Sequence, residues 1–239
     1  MEKIKKALEK YPRARVLDIG TGVGNFISIL VSVTSDFQEI VGIDTSRKML
    51  DRAQTNFAAY EFVRFEVADA NHLPYNEATF DIICLSNSLH HLDDIIKILK
   101  EMKRVLQPNG IIIINEMVKD GLNNAQKSHM MLHHFAAEID RRMNVVHYET
   151  YTKQEIVEHL NGVDGLAIES SWELSFPESE APTAKDVNNL LYMIDKIMTP
   201  TQDFLDKEYF FHKGEEIKTY ICKNSYASAP QHIFVLQHS

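Results

Sequence analysis

Residues 16–25 read Val-Leu-Asp-Ile-Gly-Thr-Gly-Val-Gly-Asn, with glycines at 20, 22 and 24 directly after a short β-type run. Glycines there let the chain turn sharply and let a ligand approach the backbone closely. A helix N-terminus follows, offering N–H groups that no helical carbonyl takes up. Asp44 closes a second apolar run, Glu39-Ile-Val-Gly-Ile-Asp44. A carboxylate in that position accepts hydrogen bonds from a ribose diol. The pairing implies a nucleoside-bearing ligand, and two kinds compete. A dinucleotide fingerprint needs glycine at position 25, where this chain has Asn25. Asp18, two residues before the first glycine, would repel a pyrophosphate and suits a ligand carrying ammonium and sulfonium charge.

The chain has 11 histidines, and several sit where they can do acid–base chemistry. His90 and His91 lie just beyond a predicted fourth strand, at the edge of the sheet where ligands bind in such folds. On a helix over 121–143, His129, His133 and Asp140 fall within about 40° of one another, while His134 and Glu138 share the opposite side. That stripe suits a base such as His133 with Asp140 orienting an imidazole. It also suits a divalent metal, or a polar helix face held by local pairs. Asp140 stands nearly three turns from His129, so a metal would need ligands from elsewhere, such as His147. The candidate bases are therefore His90, His91 and His133, and no residue is assigned as a metal ligand. Glu116, Met117, Met130, Met131 and Phe135 are possible pocket walls, and Trp172 reads as a packing anchor.

The elements that must position these groups follow a regular rhythm. A charged amphipathic helix over 2–10 ends at Pro12. Strands are expected at 15–19, 39–44, 62–67, 80–86 and 111–114, separated by helices over 25–33, 47–58 (capped by Ser46) and 93–106. Pro108-Asn-Gly makes the turn before the fifth strand. Alternation at this spacing means βαβ units and a parallel sheet covered on both faces. Beyond 120 the chain reads as helices at 121–143, 153–161 (capped by Thr152), 184–198 and 201–213. Strands are expected at 165–174, 219–222 and 232–237, with Pro177 and Pro182 around a loop.

The 239 residues are read as one domain, with helical additions near 121–161 and 184–213. The latter are expected as a lid or a dimer interface. Lys plus Arg is 25 against 34 for Asp plus Glu, a net charge of −9. That charge argues against nucleic-acid and membrane-surface binding. Cys84 and Cys222 cannot build a disulfide framework, and Cys84 sits in an apolar run. Without a secretory-type leader or a run of about 20 apolar residues, the expected setting is cytoplasmic.

Five separated motifs then occur in one order that resembles the class I S-adenosylmethionine-dependent methyltransferases. They are Asp18 to Gly24, Asp44, Ala68-Asp69-Ala70, the block Phe80 to Leu92, and Arg104-Val-Leu-Gln-Pro-Asn-Gly110. The resemblance covers about residues 12–118 and is similar to the branch holding the quinone-biosynthesis enzymes. It implies a Rossmann-like, mostly parallel seven-stranded α/β sheet with helices on both faces, an antiparallel last strand and helical lid insertions. The implied cofactor is S-adenosylmethionine, released as S-adenosylhomocysteine after methylation of a small molecule by a monomer or homodimer. Gly20 and Gly22 would lie along its methionine and ribose, and Asp44 would hold the ribose. Thr45, Asp69, Ala70 and Met49 would surround the adenine, with Asn87 near the methionine end. The rival expectations are a binding module without catalysis, a nicotinamide-dependent dehydrogenase, and a metal-assisted methyltransferase using the His-rich helix.

Overall fold

The structure is a computed structural model that describes residues 1–174 and 183–239. Pro177 and Pro182, expected around a loop, lie outside the described residues. The chain forms two compact units, described here one at a time.

The first unit comprises Met1–Glu116, Glu155–Leu174 and His232–Ser239. Its frame is a sheet of seven strands: β1 (Ala14–Ile19), β2 (Phe37–Asp44), β3 (Val63–Val67), β4 (Phe80–Ser86), β5 (Leu106–Met117), β6 (Leu166–Leu174) and β7 (Gln231–His238). Their order is β3-β2-β1-β4-β5-β7-β6. The pairs β1–β2, β1–β4, β2–β3 and β4–β5 run parallel. Val16, Leu17, Ile82, Ile83, Ile112 and Ile114 are all buried, as a sheet covered on both faces demands. This is why the central strands are apolar at every position and do not alternate.

Helices α1 (Glu2–Leu8), α2 (Asn25–Val33), α3 (Arg47–Asn56), α4 (Ile95–Val105) and α6 (Lys153–Asn161) accompany the sheet. One core cluster gathers Ile4 and Leu8 of α1, Phe26 and Leu30 of α2, and Val16, Ile82 and Ile111 of the strands. Ser46 caps α3, its Oγ accepting from Met49 N at 3.4 Å, and Asp94 caps α4 by accepting from Lys97 N at 2.9 Å. Asp93, expected to open α4, sits just outside that cap. The Pro108-Asn-Gly segment, expected as a turn, is already part of β5, whose register against β4 shifts between Phe80 and Ile82.

The second unit comprises Met117–Gln154 and Ser175–Gln231. It holds α5 (Asn124–Arg142), α7 (Ala184–Met198), a 3-10 turn at Thr199–Asp203, and α8 (Lys207–Asn224). Asn123 and Gln126 form a reciprocal capping box that starts α5 at 124, three residues later than expected. Leu132, Phe135 and Ile139 of α5 pack with Leu190 and Ile194 of α7 and Phe210, Ile217 and Ile221 of α8. The strand expected at Thr219–Cys222 does not form: these residues lie inside α8. Thr219-Tyr-Ile-Cys has β-type composition, but Phe210, Ile217 and Ile221 recur at helical spacing and bury one helix face. No described helix is long and apolar enough to cross a membrane.

Gly24 is the steric hinge between β1 and α2. It caps α2 in the left-handed region at φ 89°, and a Cβ there would run into the Phe57 ring. Gly24→Ala is expected to cost roughly 2–4 kcal/mol in urea unfolding, from strain and overpacking together. Adding Phe57→Leu should recover part of that loss, because it vacates the space the methyl needs.

Candidate functional site

The order β3-β2-β1-β4-β5 puts a topological switch point between β1 and β4. The chain winds outward from β1 in one direction and from β4 in the other. Ligands bind in such sheets at the carboxyl ends of the strands flanking that point. The glycine loop leaves β1 there, and residues 87–91 leave β4 there.

The loop is held from below by Asp18. This residue is 1% exposed, and its Oδ2 accepts from Thr21 Oγ1 at 2.6 Å. Its Oδ1 is buried without a hydrogen-bond partner among the described residues. Burial pushes the Asp18 carboxyl up to about 7; the Thr21 hydroxyl opposes this, and the Asp44 charge adds to it. Thr21 is itself fixed by its N–H, which donates to Ile43 O at 2.9 Å. Gly22 has φ 54°, and nothing lies within 4 Å of the place a Cβ would occupy. The loop therefore offers open backbone above a buried carboxylate with an unmet acceptor.

Asp44, at the end of β2, is tied into the same loop. Its Oδ2 accepts from Gly22 N at 3.0 Å and its Oδ1 from Ser46 N at 2.8 Å. Each carboxylate oxygen has a second lone pair, so both can still receive a hydroxyl. Thr45 beside it is exposed, and Met49 on α3 is 38% exposed. Asp69 and Ala70 follow β3, next to the point where Ala68 N donates to Asp44 O at 3.3 Å. Asp69 Oδ1 accepts from both N and Nδ2 of Asn71 at 2.9 Å, which shapes the turn and holds its carboxyl below the usual range.

Beyond β4, Asn87 is exposed, adopts φ 47° and donates its N–H to Asn115 O at 2.8 Å. Ser88 Oγ reaches Gly20 O at 3.3 Å, and a Cβ on Gly20 would meet that same Oγ at 2.5 Å. Thus the β1 and β4 loops are fitted to each other. Residues 89–91 form a 3-10 turn. Within it His90 is 2% exposed, and its Nδ1 lies 3.0 Å from Glu116 Oε1 at the end of β5. Glu116 Oε2 accepts from Leu89 N at 2.9 Å. A fully buried carboxylate so placed fixes both the turn and the His90 ring. His91 is exposed, its ring centroid 4.4 Å from that of His90.

The structure thus gathers Asp18, Gly20, Gly22, Asp44, Asn87 and His90 at one edge of the first unit's sheet. The sequence reading gave Thr21 and Ser88 no role, and treated Glu116 only as a wall. Its one visible signal is an acid two residues past the apolar run Ile111-Ile-Ile-Ile.

In the second unit, the α5 stripe is largely committed to structure. His129 Nδ1 accepts from Ala229 N at 2.9 Å, and burial holds its pKa below the usual histidine value. Asp140 Oδ2 lies 2.7 Å from His147 Nδ1. His134 Nε2 lies 2.8 Å from Thr150 Oγ1, and Glu138 pairs with Lys213 at 2.5 Å. The His133 ring packs edge-on against His147, centroids 4.9 Å apart. The expected grouping of His129, His133 and Asp140 as one functional stripe is therefore corrected: His129 and Asp140 serve separate partners.

Residues 17–114 match the family model described as a methyltransferase domain. The demethylmenaquinone methyltransferase of Deinococcus radiodurans is 39% identical over 112 residues, 46% of each chain. The chain spans less than half the length of the curated relatives it matches. Among solved structures, the YcgJ protein of Bacillus subtilis covers 100% of this chain and 97% of its own at 19% identity and a TM-score of 0.62. A SAM-dependent methyltransferase from Aquifex aeolicus covers 72% of this chain and 82% of its own, at 22% identity and a TM-score of 0.56. Both structures share the fold. The matched stretch, the five ordered motifs and the sheet order thus make residues 17–114 similar to the methyltransferase domain and to the demethylmenaquinone methyltransferases, on a fold shared with methyltransferase structures.

Proposed function

We propose that the chain transfers the methyl group of S-adenosylmethionine to a small-molecule acceptor and releases S-adenosylhomocysteine. The observation that carries this reading is the buried Asp18 Oδ1 beneath the open backbone of Gly22. A buried acid suits the ammonium of an amino-acid ligand and opposes a diphosphate.

S-adenosylmethionine, when bound, supplies a methyl carbon on a sulfonium that an acceptor's lone pair displaces in line. The chain's own residues bind, orient and take a proton. Asp44 accepts from the ribose hydroxyls while keeping its hold on Gly22 and Ser46. Gly20 and Gly22 lie along the ribose and amino acid, Asn87 lies near the amino-acid end, and Thr45, Met49, Asp69 and Ala70 border the adenine. Asp69 keeps its turn-forming bonds to Asn71 in that role. Holding the acceptor in line is the main source of rate.

His90 is the base for an oxygen or nitrogen acceptor, with Glu116 holding Nδ1 so that Nε2 carries the lone pair. His91 is the other imidazole of the first unit assigned to the acceptor side. The same reading takes residues 1–239 as one methyltransferase domain, with the elements near 121–161 and 184–213 serving the substrate. It places the protein in the cytoplasm as a monomer or homodimer, with no nucleic-acid partner.

Calorimetric titration with S-adenosylhomocysteine tests the site directly. The chain should bind it, and Asp44→Ala should weaken binding by roughly 1–3 kcal/mol. Unchanged affinity in that variant would overturn the assignment. Asp18 adds a pH signature. Its carboxyl titrates near 7 in the folded protein against 3.8 when unfolded. Its contribution to stability is thus fully present below about 4 and lost as pH rises through about 7. The ligand-free chain should lose up to about 4 kcal/mol over that window, and Asp18→Asn should flatten the profile. Affinity for the ammonium-bearing ligand should run oppositely, falling as pH drops below about 7, because protonation removes the charge that binds it.

A further inference from the structure

A second cavity in the first unit lies away from this crevice, between α1 and the edge strand β6, and has a volume of about 330 Å³. It opens beside Ile111, midway along β5. Glu116, at the crevice, stands five residues further along that strand, about 16 Å away at the usual rise per residue. Its floor is apolar: Ile111, Val235 and the half-buried Trp172 ring. Its rim carries Lys3, Lys6 and Lys10. Spacings of three and four put these lysines on one side of α1 and its extension, while Ile4 and Leu8 of that helix are buried in the core.

Each lysine has a distinct setting. Lys10 pairs with Glu169 at 3.5 Å, and Glu169 is the one acid among the described lining residues. Lys3 stands over the Trp172 ring, 5.7 Å from its centroid. Lys6 makes no ion pair among the described residues. A chain of net charge −9 thus concentrates three cations around an apolar hollow. Apolar walls with a few convergent polar groups are the ordinary make-up of a small-ligand site, and the volume lies at the small end of that range.

We propose that this groove binds a small amphiphilic anion: an acyl or aryl carboxylate whose apolar body lies on Trp172, Ile111 and Val235 and whose head meets Lys3 and Lys6. Burying the body removes apolar surface from water on both sides. The head relieves the mutual repulsion of the lysines, with Lys3 and Lys6 as the cations that no carboxylate among the described residues already satisfies.

Trp172 is the chain's sole tryptophan, so its emission reports on this groove alone. The full chain is titrated with decanoate, and in parallel with decanol and decylammonium as neutral and cationic controls of equal length. The proposal expects a saturable blue shift with decanoate, and a response at least about tenfold weaker with either control. Lys3 and Lys6 are exposed, so the Lys3→Ala, Lys6→Ala double variant should keep its melting temperature. That variant should lose about tenfold or more in decanoate affinity while its decanol response stays unchanged. Equal binding of decanol, an unaffected double variant, or no saturable shift with decanoate would each overturn the proposal. A shift seen only with phosphatidylglycerol vesicles and not with monomeric decanoate would overturn it in favour of a membrane surface. Neither lysine touches the crevice, so these outcomes leave the methyltransferase reading to stand or fall by itself.

Discussion

A carboxylate buried at the switch point of a parallel sheet is the constraint on which the rest of this molecule turns. Ionised Asp18 is costly in the apolar interior, and one short hydrogen bond from Thr21 answers only one of its oxygens. Hydrophobic packing alone would have favoured a valine or leucine there, like the neighbours Leu17 and Ile19. The polar outlay is localised: Asp18 pairs in register with Gly42 on one side and Cys84 on the other, two small residues that leave the carboxyl its space. Cys84 is fully buried, and burial with the adjacent Asp18 charge pushes its thiol pKa well up. It is thus a packing residue, not a nucleophile.

From that point the crevice is assembled by contacts that allow little variation. The β1 loop is bounded by Ser88 on one side and Phe57 on the other, both close enough to exclude a side chain at Gly20 and Gly24. Gly22 is the exception, with a left-handed backbone and open space, so packing does not account for a glycine there. Asp44 and Glu116 repeat one device at two strand ends. Each carboxylate spans a loop, binding backbone N–H groups with one or both oxygens, so the loops at the ends of β1, β2 and β4 are held before any ligand arrives. Such preorganisation is what keeps binding from being spent on ordering the site.

The legible part of the sequence was the part governed by short-range rules. Strands buried on both faces are apolar throughout, and glycines and acids between them mark the turns, so β1 to β5 and the edge that carries Asp18 and Asp44 could be placed from composition and spacing. Thr219–Cys222 shows where this stops. β-branched and aromatic residues there favour a strand locally, yet Ile221 shares with Phe210 and Ile217 a helix face buried against other helices. The histidines of α5 fail for a related reason. Helical geometry aligned His129, His133 and Asp140 correctly, but their partners, Ala229 and His147, come from distant or irregular segments that no periodicity announces. Glu116 was underread because Asn115 and an acid after four isoleucines look like the end of a strand. Its role depends on Leu89 and His90, which lie 27 and 26 residues earlier in the chain.

The dyad of His90 and Glu116 also bears on how the two halves of the chemistry are kept apart. In the proposed reading, Asp18 and Asp44 serve a cationic, hydroxyl-bearing ligand at the ends of β1 and β2. The imidazole stands beyond β4, with its carboxylate partner at the end of β5. Glu116 lies 3.0 Å from Nδ1 of His90, placed to fix the orientation of the ring. Because Glu116 is also bonded to Leu89 N, any movement of the ring pulls on the 3-10 turn that links it to Ser88, and through Ser88 to Gly20. The His90 turn and the glycine loop are therefore mechanically one piece, which is what the proposed in-line transfer requires.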